Sequence, residues 1–344
     1  MIVKIKEVIL LKKVYIIVSI LIIVSLLLFS FTGCQKDELT VIQLNEVTHS
    51  IFYAPQYAAI SQGFFLEEGL EIELTNGQGA DKVLTSIISG SSDIGFCGPE
   101  ATVYIYNQNK DDYAVSFAQL TQRDGSFLLA REPDDNFTFD KLIGKQIIGG
   151  RKGGMPEMTL EWVLKQNNVI PGEDVAIDTS VQFAAMAGAF KSGIGDYVAL
   201  FEPTALALEQ DGAGYVVASI GVESGSIPYT CYNAKKSYIE ENPEIIQSFT
   251  NAIYKGETWV QEHTPEEIAA AIVDFFPDTN IDDLTAVVKR YKDQGTWCKT
   301  PLLTEESFEH MQDIIQEAGE LDSRAPYADL VNTSFAQEAI NNTK

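Results

Sequence analysis

Strand-length apolar runs alternate with helix-length amphipathic runs from residue 41 to residue 219, and this alternation leaves the chain few folds to choose from. Parallel neighbouring strands need a crossover connection, and a helix of about ten residues is the usual one. Val41 to Leu44, Leu70 to Leu74, Asp93 to Cys97 and Tyr113 to Leu120 read as a first set of strands. Between them one helix opens at Pro55, whose missing N–H costs nothing in a first turn, and Gly63 supplies its left-handed cap. Another carries Val83, Leu84, Ile87 and Ile88 at helical spacing to Gly90, and a third opens at Pro99. Phe127 to Ala130, Gln146 to Ile148, Val175 to Asp178, Tyr197 to Phe201 and Tyr215 to Ser219 form a second set, with helices after Pro156, Phe183 and Pro203. The pattern predicts an α/β fold of mostly parallel sheets.

Past Gly225 the chain makes one more strand, Tyr229 to Asn233, and then turns helical to its end. Thr264, Pro265 and Glu267 spell a capping box, and Thr304 begins a further helix. A length of 344 residues at 45% hydrophobic suits about two domains. No Pro/Ser-rich linker separates them, so the expectation is two lobes joined by two crossings near residues 121–127 and 222–229. Lobe 1 would comprise residues 40–122 with 228–344, and lobe 2 residues 123–227.

The N-terminus reads as a targeting segment. Lys4, Lys6, Lys12 and Lys13 precede or flank the start of an uncharged apolar run, Val14 to Phe31, which ends in Phe31-Thr-Gly-Cys34. This resembles a bacterial lipoprotein signal, which implies a signal peptide over residues 1–33, lipidation of Cys34 and a short tether over 34–39. An uncleaved span is the alternative, since the run approaches membrane thickness. Either way the globular part is exported.

Charge narrows the partners. Lys and Arg total 24 against 49 Asp and Glu, a net of -25, which argues against nucleic acid or an anionic membrane surface. Cys97, Cys231 and Cys298 are too widely spaced for a zinc knuckle; one pair could oxidise, or all could be buried thiols. Neither HExxH nor GxSxG occurs, and the three histidines, His49, His263 and His310, do not cluster. No metal, cofactor or catalytic nucleophile is therefore expected.

Four loops share one geometry, each following a strand's carboxyl end and preceding a helix: 45–53, 98–100, 149–155 and 201–203. Ligands of open α/β sheets settle at such ends, where helix N-termini offer free N–H groups. In the first loop His49 is a candidate ligand contact, and Phe52, Tyr53 and Tyr57 could stack on a planar ring or belong to the core. Arg151, Lys152, Gly153 and Gly154 fit an anion or polar-ligand cradle as well as a tight turn. Glu100 and Glu202 each open a helix, where the dipole alone favours a carboxylate. That suffices for Glu100, whereas Glu202 is carried by its strand into the cleft, where it could accept from a ligand amino group. Arg123 reads as a hinge salt bridge with Asp124 or another acid.

The segments HSIFYAPQYAAISQGFFLEEGLEIEL, GADKVLTSIISGSSDIGFCGPEA, GKQIIGGRKGGMPEMTLEWVL and GDYVALFEPTALALE, in that order, resemble the THI5-like and SsuA-like periplasmic binding proteins. Those serve importers of thiamine-pyrimidine precursors, sulfonates and nitrate, and the resemblance spans roughly residues 40–260. It implies a type II periplasmic-binding fold, two α/β lobes that close on a small molecule, and a monomer that presents its ligand to an ABC permease. Carried over by position, it places Thr48, His49, Tyr53, Gly98, Pro99, Glu100, Arg151, Gly153, Gly154 and Glu202 along the cleft. It implies an aminopyrimidine as first ligand, with an aliphatic sulfonate, taurine or nitrate as alternatives. A rival of another class is an enzyme, because fungal relatives of this fold build the pyrimidine themselves; their cysteine-rich iron motif is missing here. A solvent-exposed adhesin or sensor on the same anchor is a third reading.

Overall fold

The computed structural model describes residues 39–108 and 111–342, so Cys34 and the signal segment lie outside the described residues. The strands are β1 (Thr40–Glu46), β2 (Leu70–Asn76), β3 (Ile94–Cys97), β4 (Ala114–Thr121), β5 (Ser126–Ala130), β6 (Gln146–Ile148), β7 (Ala176–Asp178), β8 (Tyr197–Phe201), β9 (Tyr215–Ser219) and β10 (Thr230–Lys235). They form two five-stranded sheets, ordered β2-β1-β3-β10-β4 and β7-β6-β8-β5-β9. Helices cover both, giving the two-lobed α/β architecture expected of the sequence.

The sheets are only half parallel, which corrects the expectation of mostly parallel pairing. β1 runs parallel to β2 and β3, and β6 to β7 and β8; β10 is antiparallel to β3 and β4, and β5 to β8 and β9. The reason is the exchange of strands between lobes. A strand arriving from the other sheet enters without a crossover helix, so β10 can insert reversed between β3 and β4. The outer edge of β4 is covered by the C-terminal segment, through a bridge between Ser116 and Val331 and the helix Ser334–Asn342. Such cover removes an edge that could pair with another chain.

The chain passes between sheets twice, at 122–125 and at 220–229. The two passages are bolted together. Ile227 N–H donates to the Gln122 carbonyl at 3.0 Å, and Arg123 Nη1 to the Gly221 carbonyl at 3.1 Å. Arg123 thus serves a backbone oxygen, and among the described ion pairs it has none with Asp124, contrary to expectation. A Cβ on Gly221 would stand 2.0 Å from the Asp124 carbonyl oxygen, so only glycine allows this approach.

The helix Ala54–Ser61 buries Ala54, Tyr57, Ala58 and Ala59 against the helix Pro243–Glu262. Gly256 makes this close crossing possible, since a Cβ there would lie 2.5 Å from the Pro55 carbonyl oxygen. Thr264 and Glu267 form the reciprocal capping box, with bonds of 3.3 and 2.8 Å.

Candidate functional site

The carboxyl ends of β1 and β3 in one lobe and of β6 and β8 in the other carry the four loops. In the first loop the dominant group is Glu46, 1% exposed. It accepts from Gln56 Nε2 (2.9 Å) and Tyr57 Oη (2.8 Å), and His49 Nδ1 lies 2.7 Å from its other oxygen. His49 Nε2 meets the Phe275 carbonyl at 2.8 Å and the ring stacks on Phe276 at 4.9 Å. Its bond to Glu46 holds the imidazole pKa above its ordinary value against the opposing effect of burial. Both ring nitrogens of His49 are therefore engaged by the protein itself, while Thr48 is exposed beside it.

Phe52 and Tyr57 are core residues at 1% and 0% exposure. Tyr53, at 4%, packs on Phe96 at 4.6 Å with Thr230 beside its hydroxyl; burial pushes its pKa far up. Phe52 also reaches across the lobes to Phe201 at 5.8 Å, and Tyr229 meets Phe52 at 5.8 Å and Phe201 at 6.3 Å. Phe183, 56% exposed, stands edge-on to Phe201 at 5.8 Å. Gly125 lies where a Cβ would come within 2.6 Å of Phe52 and 2.7 Å of Phe201, so the aromatic seam closes over bare backbone.

Glu100 follows Pro99 as the first residue of the helix Glu100–Tyr106 and folds its carboxyl back over Gly98. A Cβ on Gly98 would be 2.0 Å from Glu100 Oε2, so the glycine is what gives the carboxyl this position. Burial lifts the Glu100 pKa to about 7, opposed by its own amide; Oε2 has no hydrogen-bond partner. A buried acceptor without a partner costs roughly 1–3 kcal/mol, so it needs a counterpart. The dipole of its helix alone does not account for that oxygen.

The glycine-rich loop is largely self-satisfied. Gly153 N–H donates to Glu157 Oε2 at 3.1 Å and Gly154 N–H to the Arg151 carbonyl at 3.2 Å; Arg151 and Lys152 are exposed. A carboxylate of the chain thus takes a place an anion would want. Gly153 also faces Glu320 of the other lobe, 3.3 Å from where its Cβ would be.

Glu202, at 3% exposure, is paired rather than open. It receives Leu206 N–H at 2.9 Å and forms an ion pair with Arg290, whose other arm reaches Glu209 at 2.6 Å. Burial holds its pKa above the usual carboxylate range although Arg290 opposes this. Since Arg290 sits on the helix Ile281–Gln294 of the first lobe, the pair spans the seam. Other bonds do the same: His310 Nε2 meets the Ser224 carbonyl at 3.1 Å, and Tyr291 Oη lies 3.1 Å from Glu202 N.

Three seam residues were not anticipated from the sequence. Asp124 is fully buried, with Oδ1 accepting from Ser126 N–H at 2.6 Å and Oδ2 without a partner; burial raises its pKa to about 6. Thr121 Oγ1 is likewise buried and unpartnered. Tyr229 Oη lies beside the Asp124 carboxyl, and burial together with that acid pushes its pKa far up. An aspartate in a crossing carries no spacing signal, which is why periodicity passes over it.

Two α/β lobes, two strand crossings and an interlobe seam of aromatic rings with unpaired carboxyl oxygens define a protein of the periplasmic-binding type. The chain belongs to the NMT1/THI5-like family, which it matches over residues 51–268. It is 45% identical over 315 residues to YtlA of Bacillus subtilis (strain 168), named as a candidate binding protein, covering 91% of this chain and 94% of that one. Its fold is similar to the periplasmic aliphatic sulphonate binding protein SsuA from Escherichia coli, with a TM-score of 0.68 at 17% identity over 85% of this chain and 97% of that one. The periplasmic nitrate-binding protein NrtA from Synechocystis PCC 6803 gives a TM-score of 0.68 at 16% identity, over 89% and 90%. Among the described residues no helix is long and apolar enough to cross a membrane.

Proposed function

We propose that this chain is the extracytoplasmic, Cys34-anchored capture component of an ABC importer, a monomer whose lobes close on an aminopyrimidine of the thiamine-precursor kind. The lobes that close would be residues 40–122 with 228–344 against 123–227. The observation that carries the ligand reading is Glu100 Oε2, buried and unpartnered over Gly98 at the carboxyl end of β3, in a protein whose lobes meet at the rings Phe52, Phe201 and Tyr229. An aminopyrimidine offers what this seam wants, a flat face and N–H donors. Thr48, Tyr53, Gly98 and Pro99 would line the Glu100 side.

A sulfonate or nitrate is the second reading, favoured by the fold shared with SsuA and NrtA. It would have to sit near the buried Glu100 carboxyl, with the Gly153 amide already given to Glu157. A pyrimidine-making enzyme is the rival of another class, and it would consume what it binds.

The test is a thermal-shift and calorimetric screen of the protein lacking residues 1–33 against aminopyrimidines, taurine, alkanesulfonates and nitrate. Ligand at a hundred times Kd adds about 2.7 kcal/mol of stability. Stabilisation by aminopyrimidines, with the compound recovered unchanged, supports the proposal. Stabilisation by sulfonates alone overturns the ligand, and recovery of an altered compound overturns capture without turnover.

A further inference from the structure

Cys97 closes β3, and Cys231 stands directly opposite it on β10 in an antiparallel pairing. Both are fully buried, and both are free thiols in this structure. Opposed residues of an antiparallel ladder share one face, with Cα atoms about 4.5–5.5 Å apart. Asn233 shows the shared face directly. It lies two residues beyond Cys231, so its side chain leaves β10 on the same side, and its Nδ2 reaches Cys97 Sγ at 3.6 Å while donating to the Cys231 carbonyl at 2.9 Å.

We propose that Cys97 and Cys231 are a site of covalent modification, joined as a cross-strand disulfide when the chain folds in the presence of a disulfide oxidant, and that Cys298 stays a thiol. From the proposed export the inference takes only the oxidising surroundings, and it is independent of the ligand.

The sheet order selects this pair among the three described cysteines. A disulfide needs Cα atoms about 4.4–6.8 Å apart, which the opposed positions of β3 and β10 satisfy. Cys298 lies on the far edge of β4, where its N–H donates to the Leu120 carbonyl at 2.9 Å and Trp297 bridges to Thr121. In the order β3-β10-β4 it is therefore two strands from Cys231 and three from Cys97. At about 4.8 Å per strand that is beyond reach of either.

The bond would enclose residues 98–230, which include both crossings and the whole second sheet. It would tie the strand that leaves lobe 1 to the strand that returns, at the position just before the Gly98–Glu100 loop. A cross-link around so long a stretch restricts the unfolded chain strongly. The chemistry is thiol–disulfide exchange. One cysteine thiolate attacks the oxidant disulfide and expels a thiolate, and the other cysteine displaces the half that remains, so two protein thiols become one disulfide and the oxidant becomes two thiols. Burial pushes the pKa of both thiols well up, leaving little thiolate in the folded chain, so the exchange belongs to folding.

The experiment unfolds and reduces the full chain in detergent and urea and refolds it with reduced and oxidised glutathione. Remaining thiols are capped with N-ethylmaleimide in denaturant, and the peptides are mapped by mass. Because the oxidant is supplied, failure here is separate from failure of the export reading, which the location of the chain in cells decides. Most molecules are expected to carry a Cys97–Cys231 peptide with Cys298 capped, and reduction is expected to lower the melting temperature by roughly 4 °C or more. Cys231→Ala should melt alike with and without reductant and leave Cys97 capped. Capping of all three cysteines, a bond that includes Cys298, or a melting temperature unmoved by reduction overturns the inference. If Cys231→Ala does not fold, the peptide map and melting curves of the unaltered chain decide alone.

Discussion

Replacing Arg290 by Met should expose how much of the closed seam depends on one guanidinium. The Glu202 side chain is 0% exposed and that of Arg290 28%, so the variant strands a carboxylate that water cannot reach. Removing one partner of a buried pair costs ~3–5 kcal/mol. The partial exposure of Arg290 and the Leu206 N–H that still serves Glu202 reduce this, and about 2–3 kcal/mol is the expectation at pH 8. The loss must depend on pH in a definite direction. Burial already holds the Glu202 pKa above its ordinary value, and without Arg290 it climbs further. The folded variant then keeps a proton that the unfolded chain gives up above about pH 4.3, so the deficit grows as pH rises from there and shrinks toward acid. Urea unfolding at pH 8 and pH 5 measures it, with the double variant carrying Glu202→Gln expected to recover part of the loss. A deficit under about 0.5 kcal/mol at pH 8, the size of an exposed pair, would refute the reasoning, as would a deficit equal at both pH values.

Gly221→Ala should cost ~1–3 kcal/mol in urea unfolding, because its Cβ meets the Asp124 backbone oxygen and not a side chain that can turn aside. Glu257 is fully buried with neither carboxyl oxygen partnered, and burial holds its pKa far up. Its native proton is one the unfolded chain loses above about pH 4.3, so stability falls as pH rises; Glu257→Met should flatten that slope between pH 5 and pH 8, and parallel stability curves would count against it. His49, held above its ordinary pKa by Glu46, should contribute stability that is full below about pH 6.5 and fades as pH rises through its folded value. A His49→Gln variant should lose that fade in a pH series of melting curves.

Strand and helix positions were legible because they rest on local period and on punctuation. Gln146 to Ile148, Tyr197 to Phe201 and Tyr215 to Ser219 fall where alternation put them, and Gly63 and Gly90 adopt φ of 77° and 76° as caps. Direction within the sheets was not legible, since an apolar strand carries the same letters whether β10 enters parallel or reversed. The site was legible to the level of loops. What each side chain does there depends on partners far along the chain: Arg290 for Glu202, Phe275 for His49, Glu157 for the Gly153 amide. Glu202 and Glu100 share a position at a helix start, and only the tertiary neighbourhood shows that the first is neutralised and the second is not.

That difference assigns opposite tendencies to the two carboxylates. The pair between Arg290 and Glu202, with Gln210 bound to Asp283, favours closed lobes whether or not a ligand is present. Glu100 disfavours closure of an empty seam, because its Oε2 is buried there without gaining a bond. A ligand shifts such an equilibrium only by its differential affinity for the two forms, and the unpartnered oxygen is where that difference arises. If the open form is favoured by a net ~2.7 kcal/mol, the empty protein is about 1:99 closed to open, and a ligand that binds the closed form better by about 5.5 kcal/mol carries it to 99:1. Replacing Arg290 then lowers the affinity for every ligand alike, whereas replacing Glu100 lowers it only for ligands that donate to it, and comparing the two variants across one ligand panel separates closure from recognition.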